Sequence, residues 1–262
     1  MKHFDGSQKA ELHPVAMVLR EVKHQADLAG VQIMVVGATA RDILIRQVIG
    51  SPPERATADI DVAVAVSSWA EVHNLTQAMQ SAGVAHKFRV QGTEVDIIPF
   101  GEIESDERTI TWSNEHLMDV FGFREAWADT VSVRLPFETE VAVASLPAQS
   151  LLKILAWRDR RSNDTRDAID LRSILRSYHE GPYLEELYEG FGNLLEKNDF
   201  VPEYAGAERM GQEARQLIAA SDRGVVLDVL RDVRLVERLS EDMRGMVSES
   251  HALISAYARG FD

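Results

Sequence analysis

Asp59 and Asp61 stand two residues apart in the run Ala58-Asp59-Ile60-Asp61-Val62-Ala63-Val64. In an extended strand that spacing turns both carboxylates to one side and Ile60 to the other. Two adjacent acids repel, and holding them beside an apolar strand calls for a cation; hard divalent ions such as Mg²⁺ prefer oxygen ligands of this kind. The pair predicts a metal-dependent site. Its plain alternative is a solvated strand end or an Asx-type turn, but Ile60, Val62, Ala63, Val64 and Ala65 read as a buried strand.

Three further groups of residues bear on the chemistry. Gly37-Ala38-Thr39-Ala40-Arg41 joins an apolar run to a helical one, and backbone amides at such a turn, with the helix N-terminus behind them, suit a phosphate. It is neither a Walker A loop nor a GxGxxG fingerprint, and a simple tight turn is the competing reading. Asp96 lies among Val95, Ile97 and Ile98, out of place in an apolar strand unless it has a partner; the alternative is the polar face of an edge strand, to which Pro99 lends support. Lys153, in Leu151-Leu152-Lys153-Ile154-Leu155, offers a compact charge for a phosphate, and Arg166, Asp167 and Asp170 on the next helix could orient it. For Arg158, Arg160 and Arg161, a charged helix surface accounts for the charge equally well.

The elements that must hold these groups follow from periodicity. Leu12 to Ala29 carries apolar positions at helical spacing and stops at Gly30; Val31–Val36 is a buried strand; Ala40–Ile49 is a helix, broken by a loop at Gly50-Ser51-Pro52-Pro53. The strand bearing Asp59 and Asp61 precedes a helix capped at Ser67 or Ser68 and running to about Ser81. Phe88–Val90 and Glu94–Phe100 form a hairpin through Gln91-Gly92, and Thr130–Val133 with Glu138–Val143 form another strand pair. From Pro147 onward the pattern is helical, with Gly181-Pro182 and the segment Asn198 to Gly206 as connections. The predicted class is α+β: a mixed sheet with flanking helices over residues 1–145, followed by a helical domain over 146–262.

Bulk properties narrow the field. A chain of 262 residues with 45% hydrophobic content supports a sizeable core. The absence of cysteine excludes disulfides and thiolate metal sites. No signal-peptide pattern and no apolar run of bilayer length is present, so a cytoplasmic protein with no membrane partner is expected. The net charge of -14 argues against a general nucleic-acid binder, though a local basic groove remains compatible with it.

Taken together, Gly37-Ala38, Asp59/Asp61 and Asp96 resemble the polymerase-β-like nucleotidyltransferase superfamily, whose pattern is a small-residue turn opening a helix, an Asp-hydrophobic-Asp strand and a third acid on a neighbouring strand. Val36 to Leu44 also resembles the opening of CCA-adding enzymes, but their downstream nucleotide-selecting motif is not seen. Lys153 and Arg166-Asp167-Ala168-Ile169-Asp170-Leu171 make the closer resemblance one to the AbiEii-type nucleotidyltransferase toxins of type IV toxin-antitoxin systems. The likeness covers Val31 to Leu171. Ala38 departs from the usual Gly or Ser, so a hydroxyl contact to phosphate would fall to Thr39.

The resemblance implies transfer of NMP from an NTP to an acceptor hydroxyl. Asp59, Asp61 and Asp96 would be the metal ligands for two Mg²⁺ ions, with Asp96 also a candidate proton acceptor. Gly37, Ala38, Thr39 and Arg41 would bind phosphate, Lys153 would neutralise the triphosphate with Asp167 fixing its ammonium, and the helical domain would complete the site. Family analogy points to tRNA as acceptor and to an antitoxin protein as partner, the latter matched by the acidic stretch Glu102-Ile103-Glu104-Ser105-Asp106-Glu107. Two other readings stay open: a transferase for a small-molecule or protein hydroxyl, related to aminoglycoside adenylyltransferases, and a catalytically silent nucleotide-binding module.

Overall fold

The computed structural model describes residues 2–48, 50 and 59–262. The expected loop at Ser51–Pro53 lies outside the described residues. Two compact units emerge, Met1–Ile43 with Arg55–Ser145 and Leu44–Glu54 with Leu146–Asp262.

The first unit is built on β1 (His3–Asp5), α1 (His13–Ala29), β2 (Gln32–Val36), the start of α2 (Gly37–Val48), β3 (Asp59–Val66), α3 (Trp69–Thr76), β4 (Gln80–Ser81), β5 (Lys87–Val90), β6 (Thr93–Gly101), β7 (Thr109–Thr111), β8 (Leu117–Asp119), α4 (Phe123–Ala128), β9 (Thr130–Leu135) and β10 (Thr139–Ala144). Eight strands make a mixed sheet in the order β1-β9-β10-β2-β3-β6-β5-β4, and β7 pairs with β8 alone. One face of the central strands is apolar and covered: Val35, Val62, Val64, Val95 and Ile97 share it and are all buried, as expected of a sheet face packed into a core. Helix α1 buries Leu19, Val22 and Ala26 along one stripe. It ends where Gly30 adopts φ +71° and donates its N–H to Ala26 and Asp27 carbonyls.

Most expected elements form within a few residues of their predicted bounds, with two corrections. Helix α3 is capped by Ser68, whose hydroxyl accepts from Glu71 N, but it stops at Thr76 instead of Ser81. Beyond it, Gln80 and Ser81 pair with Arg89 and Phe88, so an open strand edge takes those residues from the helix. The edge-strand alternative for Asp96 also falls: β6 lies between β3 and β5. Pro99 is tolerated because the β5–β6 ladder ends at Asp96, leaving no partner there that needs its missing N–H.

The second unit contains helices α5 (Leu146–Arg160), α6 (Arg166–Ser177), α7 (Pro182–Gly190), α8 (Gly192–Lys197), α9 (Pro202–Leu217), α10 (Gly224–Arg231), α11 (Val233–Asp242) and α12 (Val247–Phe261). Leu151, Ile154 and Leu155 on α5 and Leu253, Ile254, Tyr257 and Phe261 on α12 are buried at helical spacing. The connection expected from Asn198 to Gly206 is shorter than predicted, because Pro202 starts α9 at a first-turn position where its lacking N–H costs nothing. Among the described residues, no helix is long and apolar enough to cross a membrane.

Candidate active site

In the first unit, the ladder between parallel strands β3 and β6 sets Asp61 directly opposite Asp96 and Asp59 opposite Glu94. Residues two apart in each strand share a face, so four carboxylates form a two-by-two block on one side of the sheet. The antiparallel ladder between β6 and β5 then sets Lys87 opposite Asp96 and Arg89 opposite Glu94. Lys87 Nζ lies 2.7 Å from both carboxylate oxygens of Asp96. Arg89 reaches Glu94 only at 3.4 Å, with both side chains exposed. Burial alone would lower the Lys87 pKa, but its hydrogen bond to Asp96 and the charges of Asp96, Asp59 and Asp61 raise it above the usual lysine value. The ammonium is thus the fixed positive charge within the field of all three predicted acids.

On the other side of β3, Val36 is paired with Asp61, which brings the β2–α2 turn against that carboxylate. Gly37 has φ +66°, and a Cβ built on it would lie 1.9 Å from Asp61 Oδ2. Glycine is required there twice over, by the backbone and by the acid. Thr39 is buried and donates its hydroxyl to the Asp59 carbonyl at 3.1 Å. Ala38 is buried as well. Arg41 is 1% exposed and its guanidinium is engaged with Asp42 Oδ1, at 2.7 Å from Nε. The side chains expected to reach a phosphate therefore tie the first turn of α2 to its surroundings. At this turn the helix N-terminus also offers backbone amides suited to an anion.

The second unit holds the predicted lysine cluster. Lys153 is buried, and its ammonium donates to Asp167 Oδ1 at 3.0 Å and Asp170 Oδ2 at 2.8 Å. Burial pulls its pKa down, yet the charges of Asp167 and Asp170 outweigh that and raise it. Arg160 adds a bond to Asp167 Oδ2 at 2.7 Å. Arg166 instead clasps Asp164, whose carboxyl is held down to about 2, chiefly by that hydrogen bond. Arg158 bonds Asp159, and Arg161 stacks over the Trp157 ring at 5.4 Å.

Among the described residues, no three His, Cys, Asp or Glu side chains converge on a point that could hold a metal ion. The donor set of the block still fits one, since Asp59, Asp61 and Asp96 offer only carboxylate oxygens on neighbouring strands, the ligands of a hard divalent cation. The sequence reading missed Lys87 and Glu94. Hairpin arithmetic would have found both, because a two-residue turn at Gln91-Gly92 necessarily pairs Arg89 with Glu94 and Lys87 with Asp96. The acidic stretch also needs correction: Glu104 is bonded by Arg108 at 2.5 Å and Arg124 at 2.9 Å with its side chain covered, so of its four acids Glu102, Asp106 and Glu107 stand out to solvent.

Among proteins of curated function, none matches the chain. Solved structures give remote likenesses. Antibiotic-resistance factor ANT(2'')-Ia is 13% identical with TM-score 0.42 over 71% of this chain and 95% of its own. A nucleotidyltransferase-like protein from Paracoccidioides brasiliensis is 17% identical with TM-score 0.43 over 75% and 94%. The Thermotoga maritima CCA-adding enzyme complexed with tRNA is 14% identical with TM-score 0.26 over 97% and 82%. The family model described as nucleotidyl transferase AbiEii toxin of the type IV toxin-antitoxin system matches residues 27–251, well past Leu171 where the motif likeness ends. The chain accordingly belongs to the AbiEii family of nucleotidyltransferase toxins, and it is a nucleotidyltransferase.

Proposed function

We propose that the protein transfers NMP from an NTP to an RNA hydroxyl, with tRNA as acceptor and Mg²⁺ as cofactor, and that it acts as the toxin of a toxin-antitoxin pair. The observation that carries this reading is the acid block, in which Asp61 faces Asp96, Asp59 shares their side, and the Gly37 turn abuts Asp61. Asp59 and Asp61, with Asp96, would hold Mg²⁺, which when bound neutralises triphosphate charge and stabilises the leaving pyrophosphate. Backbone amides in the first turn of α2 donate to phosphate oxygens. Asp96 accepts the proton of the acceptor hydroxyl. The new O–P bond forms at the α-phosphorus, and the bond to the bridging oxygen of the β-phosphate breaks. Within the second unit, Lys153, its ammonium fixed by Asp167 and Asp170, is the residue that the family resemblance implies for phosphate charge. Thr39 and Arg41 brace the turn that presents the amides.

Membership in a toxin-antitoxin family supports an antitoxin partner. The net charge of -14 favours a second acceptor, a protein or small-molecule hydroxyl. Incubating the protein with total RNA and each of the four α-labelled NTPs separates them. Label migrating with tRNA-sized RNA supports the reading; label on protein or on a small molecule moves the acceptor to that class. Mg²⁺-dependent nucleotide binding without pyrophosphate release would leave a silent binding module.

A further inference from the structure

Lys87 belongs to none of the motifs that mark the family likeness, yet it flanks the acid block on the neighbouring strand β5. Its place is set by the backbone: β5 runs antiparallel to β6 with Lys87 opposite Asp96. Its ammonium takes both Asp96 oxygens at 2.7 Å, and the two side chains are only 27% and 13% exposed, so solvent screens the pair incompletely. Four carboxylates, Asp59, Asp61, Glu94 and Asp96, crowd one face. A second base on that side, Arg89, sits at 3.4 Å from Glu94 in an exposed pair that contributes little. A divalent ion that ligates Asp96 must share that carboxylate with the Lys87 ammonium, a like charge close by.

We infer that Lys87 is a built-in counter-ion that competes with the divalent cation for Asp96, and so sets how tightly the nucleotide-free site takes metal. It is a positioning residue: it aligns the Asp96 carboxylate while no metal is bound and releases it when metal enters. The inference rests on the proposed metal site, and its test separates the two.

Mn²⁺ binding to the full-length, nucleotide-free protein is read from the electron paramagnetic resonance signal of free Mn²⁺, with unfolding midpoints measured in parallel. Removing a partly exposed unit charge beside a divalent ion should tighten Mn²⁺ binding about tenfold in Lys87→Met. Lys87→Gln is the second neutral variant, and it should also bind more tightly. Lys87→Arg should stay near wild type, because a guanidinium also serves both oxygens. In an Asp96→Asn background the gain from Lys87→Met should shrink to about threefold or less, since the contested carboxylate is gone. Neutral variants that bind Mn²⁺ no more tightly than wild type would overturn the inference, as would an equal gain with and without Asp96. Wild type that binds no Mn²⁺ would overturn the metal-site reading itself, and this inference with it.

Discussion

Gly37→Ala is the sharpest perturbation of the acid block that alters no charge. The new Cβ would sit 1.9 Å from Asp61 Oδ2, 2.7 Å from its Cγ and 2.9 Å from its Cβ, so ordinary contact at 3.4 Å demands that the carboxylate move about 1.5 Å. Rotation about χ1 does not relieve the approach to the Asp61 Cβ; β3 or the turn must shift. The φ of +66° adds about 1–2 kcal/mol of left-handed strain. Overpacking of this kind typically adds about 1–3 kcal/mol. Gly30→Ala provides the matched control, because its φ is +71° with nothing within 4 Å, so it carries the strain without the clash. Urea unfolding should place Gly37→Ala below Gly30→Ala by about 1–3 kcal/mol. NMP transfer, followed with α-labelled NTP, should fall by about 100-fold in Gly37→Ala, the scale of an ångström-sized misplacement at a reacting centre, and stay unchanged in Gly30→Ala. Equal stability of the two variants with full transfer by Gly37→Ala would refute the claimed contact between turn and acid.

Other consequences are more local. Lys153→Ala removes the ammonium from between two buried carboxylates and should destabilise the protein by about 3 kcal/mol, at the lower end for a broken buried pair because Arg160 also serves Asp167; an unchanged melting temperature would contradict it. Since Lys153 is raised in the folded state, its contribution is whole below its unfolded pKa near 10.5 and is lost as the pH rises through the higher folded value. Wild type should therefore lose stability above about pH 10 with a slope that Lys153→Gln lacks, as read by denaturant midpoints across pH. Trp157→Phe deprives Asp242 of an indole donor at 3.0 Å and should lower stability by about 1–2 kcal/mol, Arg238 still serving that carboxylate; a wild-type urea midpoint would count against it. Chelation with EDTA should abolish transfer, and added Mg²⁺ should restore it, with pyrophosphate release as the readout; transfer that persists in chelator would count against Asp59 and Asp61 as metal ligands.

The readable parts of the fold were those with strong local signals. β3 announced itself because Ile60, Val62, Ala63 and Val64 are buried while Asp59 and Asp61 alternate out of them. Gly30 and the Gln91-Gly92 turn were legible because both sites take positive φ, at +71°, +51° and +81°, where glycine and a few polar residues are favoured. Pairings beyond the hairpins were not legible. No local pattern says that β3 lies parallel to β6, and that register alone sets Asp61 against Asp96. The contacts that Thr39 makes to the Asp59 carbonyl and Arg41 to Asp42 are likewise not written in the sequence. Side-chain direction in a helix's first turn depends on what packs around it, which residue type does not encode. Short elements such as β1, β7, β8 and α4 carry too few residues for any periodicity to show.

Nucleotide transfer by the acid block of β3 and β6 is open to one decisive experiment. Its most direct test compares wild type with Asp61→Asn, which keeps the shape of the side chain that abuts Gly37 and removes its charge, using α-labelled NTP, total RNA and Mg²⁺. Wild type should put label in RNA and release pyrophosphate, and a folded Asp61→Asn protein should lose both by at least about 100-fold. Undiminished transfer by that variant would contradict it.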